Sequence, residues 1–246
     1  MSNSKAPRRT TLVTGGARRL GAAIVRSFAA RGDAIVLHHG NSPVEAEALA
    51  TELRAAGTLV HVVQEDLADP TAPARLVDAA TRAFGALDVV VSSASVMKWH
   101  SFDVVTPAEW DAVADINLRA PFFLMQAAAP AMRDGGVIIQ LSDHLAFESI
   151  HPRLIPHQVT KSALTQLVHT VASLLAPRVR VNAVAPGLVL APESLSPETL
   201  SKFLADVPLK RSGTPDDITQ AIHYLVDATY VTGTLLTVDG GRHLWR

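Results

Sequence analysis

The chain contains no cysteine among its 246 residues. This absence excludes a disulfide framework, a thiol nucleophile and a thiolate metal site, and it is compatible with a reducing compartment. An excess of charge is missing too, because 22 Lys and Arg residues face 23 Asp and Glu residues for a formal net charge of -1. Without a net basic field, we expect no nucleic-acid partner and no electrostatic attachment to an anionic membrane.

Long hydrophobic runs are also missing from the sequence. No apolar stretch approaches the ~20 residues that a membrane-spanning helix requires, and the polar, basic residues 1–9 are not followed by the apolar segment of a signal peptide. We therefore predict a soluble, cytoplasmic protein. A chain of this length with 48% hydrophobic and 18% charged residues suits one globular domain, residues 1–246.

Short runs rich in Val, Ile and Leu alternate along the chain with longer Ala-rich amphipathic stretches. This alternation is typical of strands joined by crossover helices, and it predicts an α/β fold with a doubly wound parallel sheet of the Rossmann type. The predicted strands are 10–14, 34–37, 59–63, 89–92, 137–141, 179–183 and 235–238. The predicted helices are 21–31, 43–56, 73–84, 107–131, 158–175 and 216–226. The longest irregular segment, 187–210, is predicted to be a loop over the substrate site.

A glycine-rich turn follows the first predicted strand and leads directly into a helix. It runs from Thr14 and Gly15 through Arg18, Arg19 and Leu20 to Gly21. In such a turn, backbone N–H groups can approach a pyrophosphate closely, and the helix dipole favours its negative charge. The order of strand, turn and helix therefore predicts a dinucleotide site, although glycine also occurs where a chain only needs a tight turn.

The spacing Thr-Gly-x-x-x-x-x-Gly at 14–21 resembles the short-chain dehydrogenase/reductase family, and particularly its pteridine reductase branch. Further matches follow in chain order at 66–67, 117, 186–187, 230–233 and 238–241. The resemblance implies that Asp66 and Leu67 contact the adenine and that Asn117 has a structural and proton-relay role. It also implies a turn beside the nicotinamide at 186–187 and a homotetramer. Together with the glycine-rich turn, it implies a cofactor site formed by Gly15, Arg18, Arg19, Leu20, Gly21, His38, Asn41, Ser42, Asp66, Leu67, Ser93, Ala94, Lys161, Pro186, Gly187 and Val189.

The residues after the second predicted strand, 38–42, indicate which dinucleotide binds. NAD-specific proteins of this fold usually place an acid there on the ribose hydroxyls, whereas this run reads His-His-Gly-Asn-Ser. No carboxylate repels a 2′-phosphate at this point, and Arg19, Asn41 and Ser42 are available to bind it. We therefore predict NADPH as the cofactor. The alternative is that Arg18 and Arg19 are solvated surface charges.

The catalytic pair departs from the family pattern. Family members use Tyr-x-x-x-Lys on a helix, in which the Tyr donates a proton and the Lys binds the ribose, but this chain has His157 and Lys161 at that spacing. Residues one helical turn apart face the same side, and the resemblance implies that Lys161 still binds the ribose. For His157 three interpretations stay open: a substitute acid, a clamp on the substrate, or a position in a protein that no longer catalyses.

A second candidate acid follows the fifth predicted strand, where Asp143 stands between Ser142 and His144. Most family members place a Ser here, so Ser142 is also a candidate catalytic residue. Asp143 resembles an Asp of the pteridine reductases that is associated with protonating a ring nitrogen as hydride reaches the adjacent carbon. The alternative is that Asp143 only caps a turn, because Asx side chains readily bond to nearby backbone.

Three further departures from the family bear on ligand binding. The family's Asn-Asn-Ala-Gly is Ser-Ser-Ala-Ser at 92–95, so the bonds that brace this strand must differ. Met97 aligns with the aromatic residue that pteridine reductases stack on the pterin, which leaves Trp99 either as a substitute platform or as a core or interface residue. Leu190 and Ala191 lack the hydroxyl that family members commonly offer to the cofactor.

These patterns together predict an NADPH-dependent reductase that transfers hydride to a C=N or C=O carbon of a small, planar, pteridine-like substrate. Asp143 and His157 would manage the proton. Two alternatives stay open: a catalytically degenerate protein that binds NADPH or another ligand, and a non-redox isomerase or dehydratase with the same acid–base pair. No metal site is expected, because the ten His residues include no His-x-x-x-His pair and there is no Cys ligand.

Overall fold

Seven parallel strands form one sheet in the computed structural model, which describes residues 9–99, 101–146, 152–191 and 195–244. Their order is β3-β2-β1-β4-β5-β6-β7, and every neighbouring pair is parallel. The strands are β1 (Thr10–Thr14), β2 (Ala34–His39), β3 (Val60–Gln64), β4 (Leu87–Ser92), β5 (Met132–Leu141), β6 (Val179–Pro186) and β7 (Leu235–Val238). The predicted doubly wound sheet is confirmed. Its strand order reverses between β1 and β4, which opens a crevice at the carboxyl ends of these strands.

Helices cover both faces of the sheet. They are α1 (Arg19–Ala30), α2 (Pro43–Ala55), α3 (Ala72–Phe84), α4 (Pro107–Ala114), α5 (Ala120–Ala131), α6 (Ile155–Leu175), α7 (Pro197–Ala205) and α8 (Pro215–Asp227). Leu12 and Val13 are adjacent in β1 and fully buried, yet they belong to separate hydrophobic cores on opposite faces. Burial of both faces explains why the strands read as continuous apolar runs. None of the described helices is long and apolar enough to cross a membrane.

The helix predicted over 107–131 is divided in the structure. A turn of π-helix, Asp115–Arg119, connects α4 to α5. Apolar spacing does not distinguish a single π turn from the α-helix around it, because the hydrogen-bond register changes over only a few residues. The buried Asn117 lies in this turn, so the irregularity coincides with a predicted site residue.

The prediction that 187–210 is irregular is wrong for the nine residues that form α7. Ser196 caps this helix by accepting a hydrogen bond from the Thr199 N–H, and Glu198 pairs with Lys202 at 2.8 Å. A Ser followed by Pro and Glu is itself a signal for a helix start. The other prolines of the segment concealed this signal, because they favoured an irregular structure. Residues 192–194 of this segment lie outside the described residues.

Thr14, the last residue of β1, joins the glycine-rich turn to the segment after β4. Its buried Oγ1 accepts hydrogen bonds from the N–H groups of Ser93 (3.0 Å) and Ala94 (3.1 Å). One hydroxyl therefore connects the two sides of the crevice. It uses backbone groups of 93–94, so this brace does not depend on the side chains that differ from the family pattern.

His38, near the end of β2, connects the glycine-rich turn to the residues after β3. Its Nδ1 accepts a hydrogen bond from the Gly15 N–H (3.1 Å), and its Nε2 donates to the Glu65 carbonyl (3.0 Å). Both bonds together require the neutral ring. Burial lowers the pKa of His38 to about 4, and the bond to Glu65 opposes this shift only in part. Because both ring nitrogens are bound to backbone groups, His38 positions the turn on which the predicted cofactor site depends.

Thr14→Val keeps the shape of the side chain but removes the acceptor for both N–H groups. We expect the free energy of unfolding to fall by about 2 kcal/mol, because partly buried donors lose their partner. Urea unfolding measures the change. Thr10→Val is the matched control, since Thr10 is equally buried in β1 and its hydroxyl has no hydrogen-bond partner among the described residues. Equal losses in the two variants would contradict the bracing role.

His38 also makes the stability of the fold depend on pH. Its folded pKa of about 4 lies below its usual 6.5, so the unfolded chain takes up this proton first as the pH falls. The contribution is complete above about pH 6.5 and is lost towards about pH 4, a change of about 3 kcal/mol. His38→Gln offers a donor and an acceptor without titrating, so its unfolding free energy is expected to decline less over this range. Urea unfolding checks this, with the exposed His61→Gln as control, and a His38→Gln curve parallel to that of the unaltered chain would refute it.

Candidate functional site

A cleft of about 700 Å³ opens at the crevice between β1 and β4, on the carboxyl side of the sheet. It extends from the end of β2 to the ends of β5 and β6, and its volume is in the range of about 300–1,000 Å³ that is usual for ligand sites. The predicted residues that line it are Gly15, Arg18, Arg19, Leu20, Gly21, His38, Asn41, Ser42, Asp66, Leu67, Ser93, Ala94, Ser142, Asp143, Lys161, Pro186 and Gly187. Asn117, His157 and Val189 are not among the described residues of its wall.

The wall also contains residues that the sequence did not single out. They are Ala17, His39, Gly40, Glu65, Ala68, Ser95, Val96, Ile116 and Leu141. Most of them are chain neighbours of predicted residues at strand ends. Their position at the end of a strand could therefore have predicted them. Ile116 comes from the π turn and carries no such signal.

The glycine-rich turn packs backbone against backbone. A Cβ on Gly21 would lie 2.0 Å from the carbonyl oxygen of Gly15, so a side chain does not fit at this position. The N-terminus of α1 has no side-chain cap and no acidic residue in its first turn, which leaves its N–H groups available to an anion. The turn and the start of α1 therefore fit a pyrophosphate.

Arg18 and Arg19 both line the cleft but differ in their contacts. Arg18 lies 3.6 Å from Glu45 in an exposed ion pair. Arg19 has a φ of 50°, which is uncommon for a residue with a side chain, and its guanidinium donates a hydrogen bond to the Leu190 carbonyl. Arg19 therefore reaches from the glycine-rich turn to the segment after β6.

The residues that follow β2 bring no carboxylate to the cleft. Asn41 and Ser42 line it there, and the N-terminus of α2 follows at once without a side-chain cap. Glu65 and Asp66 line the neighbouring wall, but Glu65 is paired with Arg75 at 2.6 Å and Asp66 accepts a bond from a local backbone N–H. This end of the cleft fits a ribose that carries a 2′-phosphate.

Asn117 holds the segment after β4 from behind the cleft wall. Its Oδ1 accepts bonds from the Ser95 hydroxyl (3.0 Å) and the Val96 N–H (2.9 Å), and its Nδ2 donates to the Val96 carbonyl (2.8 Å). These bonds settle the orientation of the amide. The π turn of α4–α5 thus positions residues 95–96, which do line the cleft.

Asp143 lies at the opposite end of the cleft from Asn41, between two imidazoles. Its Oδ2 lies 3.1 Å from Nε2 of His157, and its Oδ1 lies 3.0 Å from Nδ1 of His144 and 2.9 Å from the Leu145 nitrogen. The His144 Nδ1 is also 3.1 Å from the Pro186 carbonyl, so it faces two acceptors and must carry the proton. Burial by itself raises the pKa of Asp143, but the hydrogen bonds from His144 and His157 outweigh burial and hold this pKa well below its usual value.

His157 turns both ring nitrogens towards protein groups. Its Nδ1 lies 3.2 Å from the Val96 carbonyl oxygen and 3.3 Å from Nδ2 of Asn117. The neutral ring accepts from Asn117 and the charged ring donates to Val96, and in either form Nε2–H donates to the Asp143 carboxylate. His157 is 2% exposed, whereas the side chain of Asp143 is 23% exposed. The group of this pair that faces the cleft is therefore Asp143.

Lys161 lies one turn after His157 on α6 and lines the cleft. Its Nζ donates to the Leu141 carbonyl at 2.7 Å. Burial lowers the pKa of Lys161 to about 8, although the charge of Asp143 acts in the opposite direction. The Ser142 hydroxyl lies 3.4 Å from the carbonyl oxygen of Lys161, a long contact that leaves this hydroxyl weakly bound.

Trp99 is not part of the described cleft wall. It is half exposed, and the guanidinium of Arg153 lies 5.7 Å from the centre of its ring. Met97 is likewise exposed on the same segment. Within the described residues, no group of three or more His, Asp or Glu side chains could hold a metal ion.

Comparison with known proteins finds a matching family model and similar sequences. Residues 15–243 match the family model described as enoyl-(acyl carrier protein) reductase. Versicolorin reductase 1 of Aspergillus parasiticus is 32% identical over 256 residues, covering 97% of this chain and 98% of the relative.

Two solved structures are similar over nearly the whole chain. One is a blue fluorescent protein from a metagenomic library in complex with NADPH, with 33% identity, a TM-score of 0.90, and coverage of 95% of this chain and 97% of the other. The second is the FolM alternative dihydrofolate reductase 1 from Brucella canis in complex with NADP, with 31% identity, a TM-score of 0.91, and coverage of 98% and 96%. Fold, cleft and relatives together show that the chain belongs to the short-chain dehydrogenase/reductase family and is an oxidoreductase of that type.

Proposed function

We propose that this chain is an NADPH-dependent reductase that acts on a C=N or C=O group of a small, planar, pteridine-like substrate. The observation that carries the proposal is the continuous cleft, which joins a pyrophosphate-binding turn at one end to Asp143 and Lys161 at the other. The cofactor of two structural relatives supports the choice of NADPH. The description of one relative as a dihydrofolate reductase supports a flat nitrogen heterocycle as substrate.

The cofactor would be held along the whole cleft. The Gly15 turn and the start of α1 bind the pyrophosphate, and Arg19, Asn41 and Ser42 bind the 2′-phosphate. Lys161, whose Nζ is already oriented by the Leu141 carbonyl, binds the nicotinamide ribose. When bound, NADPH supplies the hydride. Because residues 38–42 include no carboxylate, this part of the wall does not repel the 2′-phosphate.

Asp143 and His157 would form the substrate end of the site. We propose that His157 occupies the position of the family's catalytic Tyr and that Asp143 contacts the substrate, because His157 donates its Nε2–H to Asp143 and does not face the cleft. His157 is then a positioning residue. His144 has the same role on the other carboxylate oxygen.

A protein that binds NADPH without catalysis is the second candidate. The hydrogen bonds of His157 favour this candidate, since His157 cannot reach a substrate while both of its nitrogens are bound to protein groups. Spectrophotometry separates the two functions: NADPH absorbance is followed with quinonoid dihydropteridines, cyclic imines and diketones. Turnover of any of these establishes the reductase, and tight NADPH binding without turnover of the panel favours the binding protein.

The homotetramer that the family resemblance implies stays a prediction, which analytical ultracentrifugation would check.

The assignment of NADPH is tested by the affinity for the cofactor phosphate. We expect NADPH to bind at least ten-fold more tightly than NADH, a difference of about 1.4 kcal/mol, and Arg19→Gln to narrow the ratio mainly by weakening NADPH. Calorimetric titration measures both affinities. Arg26→Gln is the control, because Arg26 is an exposed Arg of the same helix that pairs with Glu52 away from the cleft. Equal affinity for the two cofactors would disprove the assignment.

The role of the Asp143 carboxylate is tested by its neutral variant. Asp143→Asn is expected to lower turnover by roughly 100-fold or more, the usual size of the loss of one electrostatic stabiliser, while NADPH affinity stays nearly the same. Asp134→Asn, an exposed change in β5, is the control. Unchanged turnover in Asp143→Asn would mean that Asp143 only caps the turn at Leu145, whose backbone N–H donates to its carboxylate.

A further inference from the structure

Asp143 is held as a carboxylate by the geometry around it. Three N–H groups point at its two oxygens: Nε2 of His157, Nδ1 of His144 and the backbone N–H of Leu145. A protonated carboxyl would put its own hydrogen against one of these donors, whereas a carboxylate accepts from all three. The substrate end of the cleft therefore presents a fixed negative charge.

The described wall at this end offers little that could protonate a product. The chain has two tyrosines, and both are exposed and absent from the described cleft wall: Tyr224 in α8 and Tyr230 after it. The Nε2–H of His157 donates a hydrogen bond to Asp143. Lys161 is a cation, but one N–H of its Nζ donates to the Leu141 carbonyl and the other two are assigned to the nicotinamide ribose, so it acts on Asp143 as a neighbouring charge.

We propose that the substrate is a small, flat cation with a protonated or N-alkylated C=N bond, an iminium, which the Asp143 carboxylate recognises by charge. This inference rests on the proposed reductase function and narrows its substrate class. Reduction of a ketone leaves an alkoxide, which must take a proton from an acid as it forms. Reduction of an iminium does not: hydride adds to the carbon, the C=N electron pair moves to nitrogen, and a neutral amine results as NADPH becomes NADP⁺.

A partly buried carboxylate beside the reacting carbon favours such a substrate for a second reason. An opposite charge a few ångströms away stabilises the protonated form of an imine in a site with restricted access to water. His157 and His144 keep the carboxylate oriented, since each binds one of its oxygens. The His–Asp–His cluster thus holds an anion where most members of the family place a proton donor.

Binding in the presence of NADP⁺, when no reduction occurs, tests the inference. The probes are N-methyl-3,4-dihydroisoquinolinium, a flat and permanently charged iminium, and 1-tetralone, a neutral ketone of similar shape. Calorimetry is expected to show at least ten-fold tighter binding of the iminium to the unaltered chain. In Asp143→Asn this preference is expected to disappear, and in Asp134→Asn it is expected to persist.

The outcomes separate the inference from the proposed function. If neither NADPH nor NADP⁺ binds, the proposed function fails. If the cofactor binds but the unaltered chain binds the ketone as tightly as the iminium, only the substrate class is wrong, and this comparison needs no variant. A preference for the iminium that survives in a folded Asp143→Asn variant, verified by circular dichroism, would also overturn the inference because the charge would then come from another group.

Discussion

The chemistry of the cleft depends on the charge of Asp143. A carboxylate between two imidazoles and a backbone N–H is anchored in position as well as in protonation state, because each oxygen already has a donor. The same contacts leave part of the side chain facing the cleft, while His157 behind it is nearly inaccessible. Of the two candidate acids that the sequence named, the structure therefore brings only Asp143 to the cleft wall.

The cleft itself depends on polar contacts that hold the loops around the crevice between β1 and β4. Thr14 binds two backbone N–H groups after β4, His38 joins the glycine-rich turn to the residues after β3, and Asn117 holds residues 95–96 in place. The hydrophobic cores on the two faces of the sheet stabilise the strands but do not specify these loops. A few buried side chains that hydrogen-bond to backbone groups of these loops supply that precision.

Much of the architecture follows from local sequence patterns. Val-rich runs and Ala-rich stretches predicted every strand of the sheet and most of the helices, because burial on both faces leaves a continuous apolar signature. The glycine-rich turn was equally readable, since Gly21 meets the Gly15 carbonyl so closely that a side chain is excluded. The choice of NADPH agrees with the cofactors in the structural relatives. The π turn around Asn117 was missed because a short run of altered hydrogen bonds has no apolar period of its own. The helix α7 was missed because the neighbouring prolines concealed its start.

The orientation of the side chains in the site could not be predicted from the sequence, for a different reason. His157 and Lys161 share one helix face as predicted, yet only Lys161 lines the cleft. The reason is that the Nε2–H of His157 donates to Asp143, which lies 14 residues earlier in the chain. His38 was likewise predicted only as part of the cofactor site, and the structure adds its bonds to Gly15 and Glu65. Such roles are decided by partners from other strands, which no local pattern identifies.

Isotope transfer tests the central claim most directly. The protein would be incubated with N-methyl-3,4-dihydroisoquinolinium and NADPH that carries deuterium at both C4 positions of the nicotinamide, and the product would be analysed by mass spectrometry and NMR. The account predicts a tertiary amine with a single deuterium on the former C=N carbon, formed in proportion to the NADP⁺ that appears. Tight NADPH binding with no deuterium on that carbon, under conditions where a neutral carbonyl compound is labelled, would contradict it.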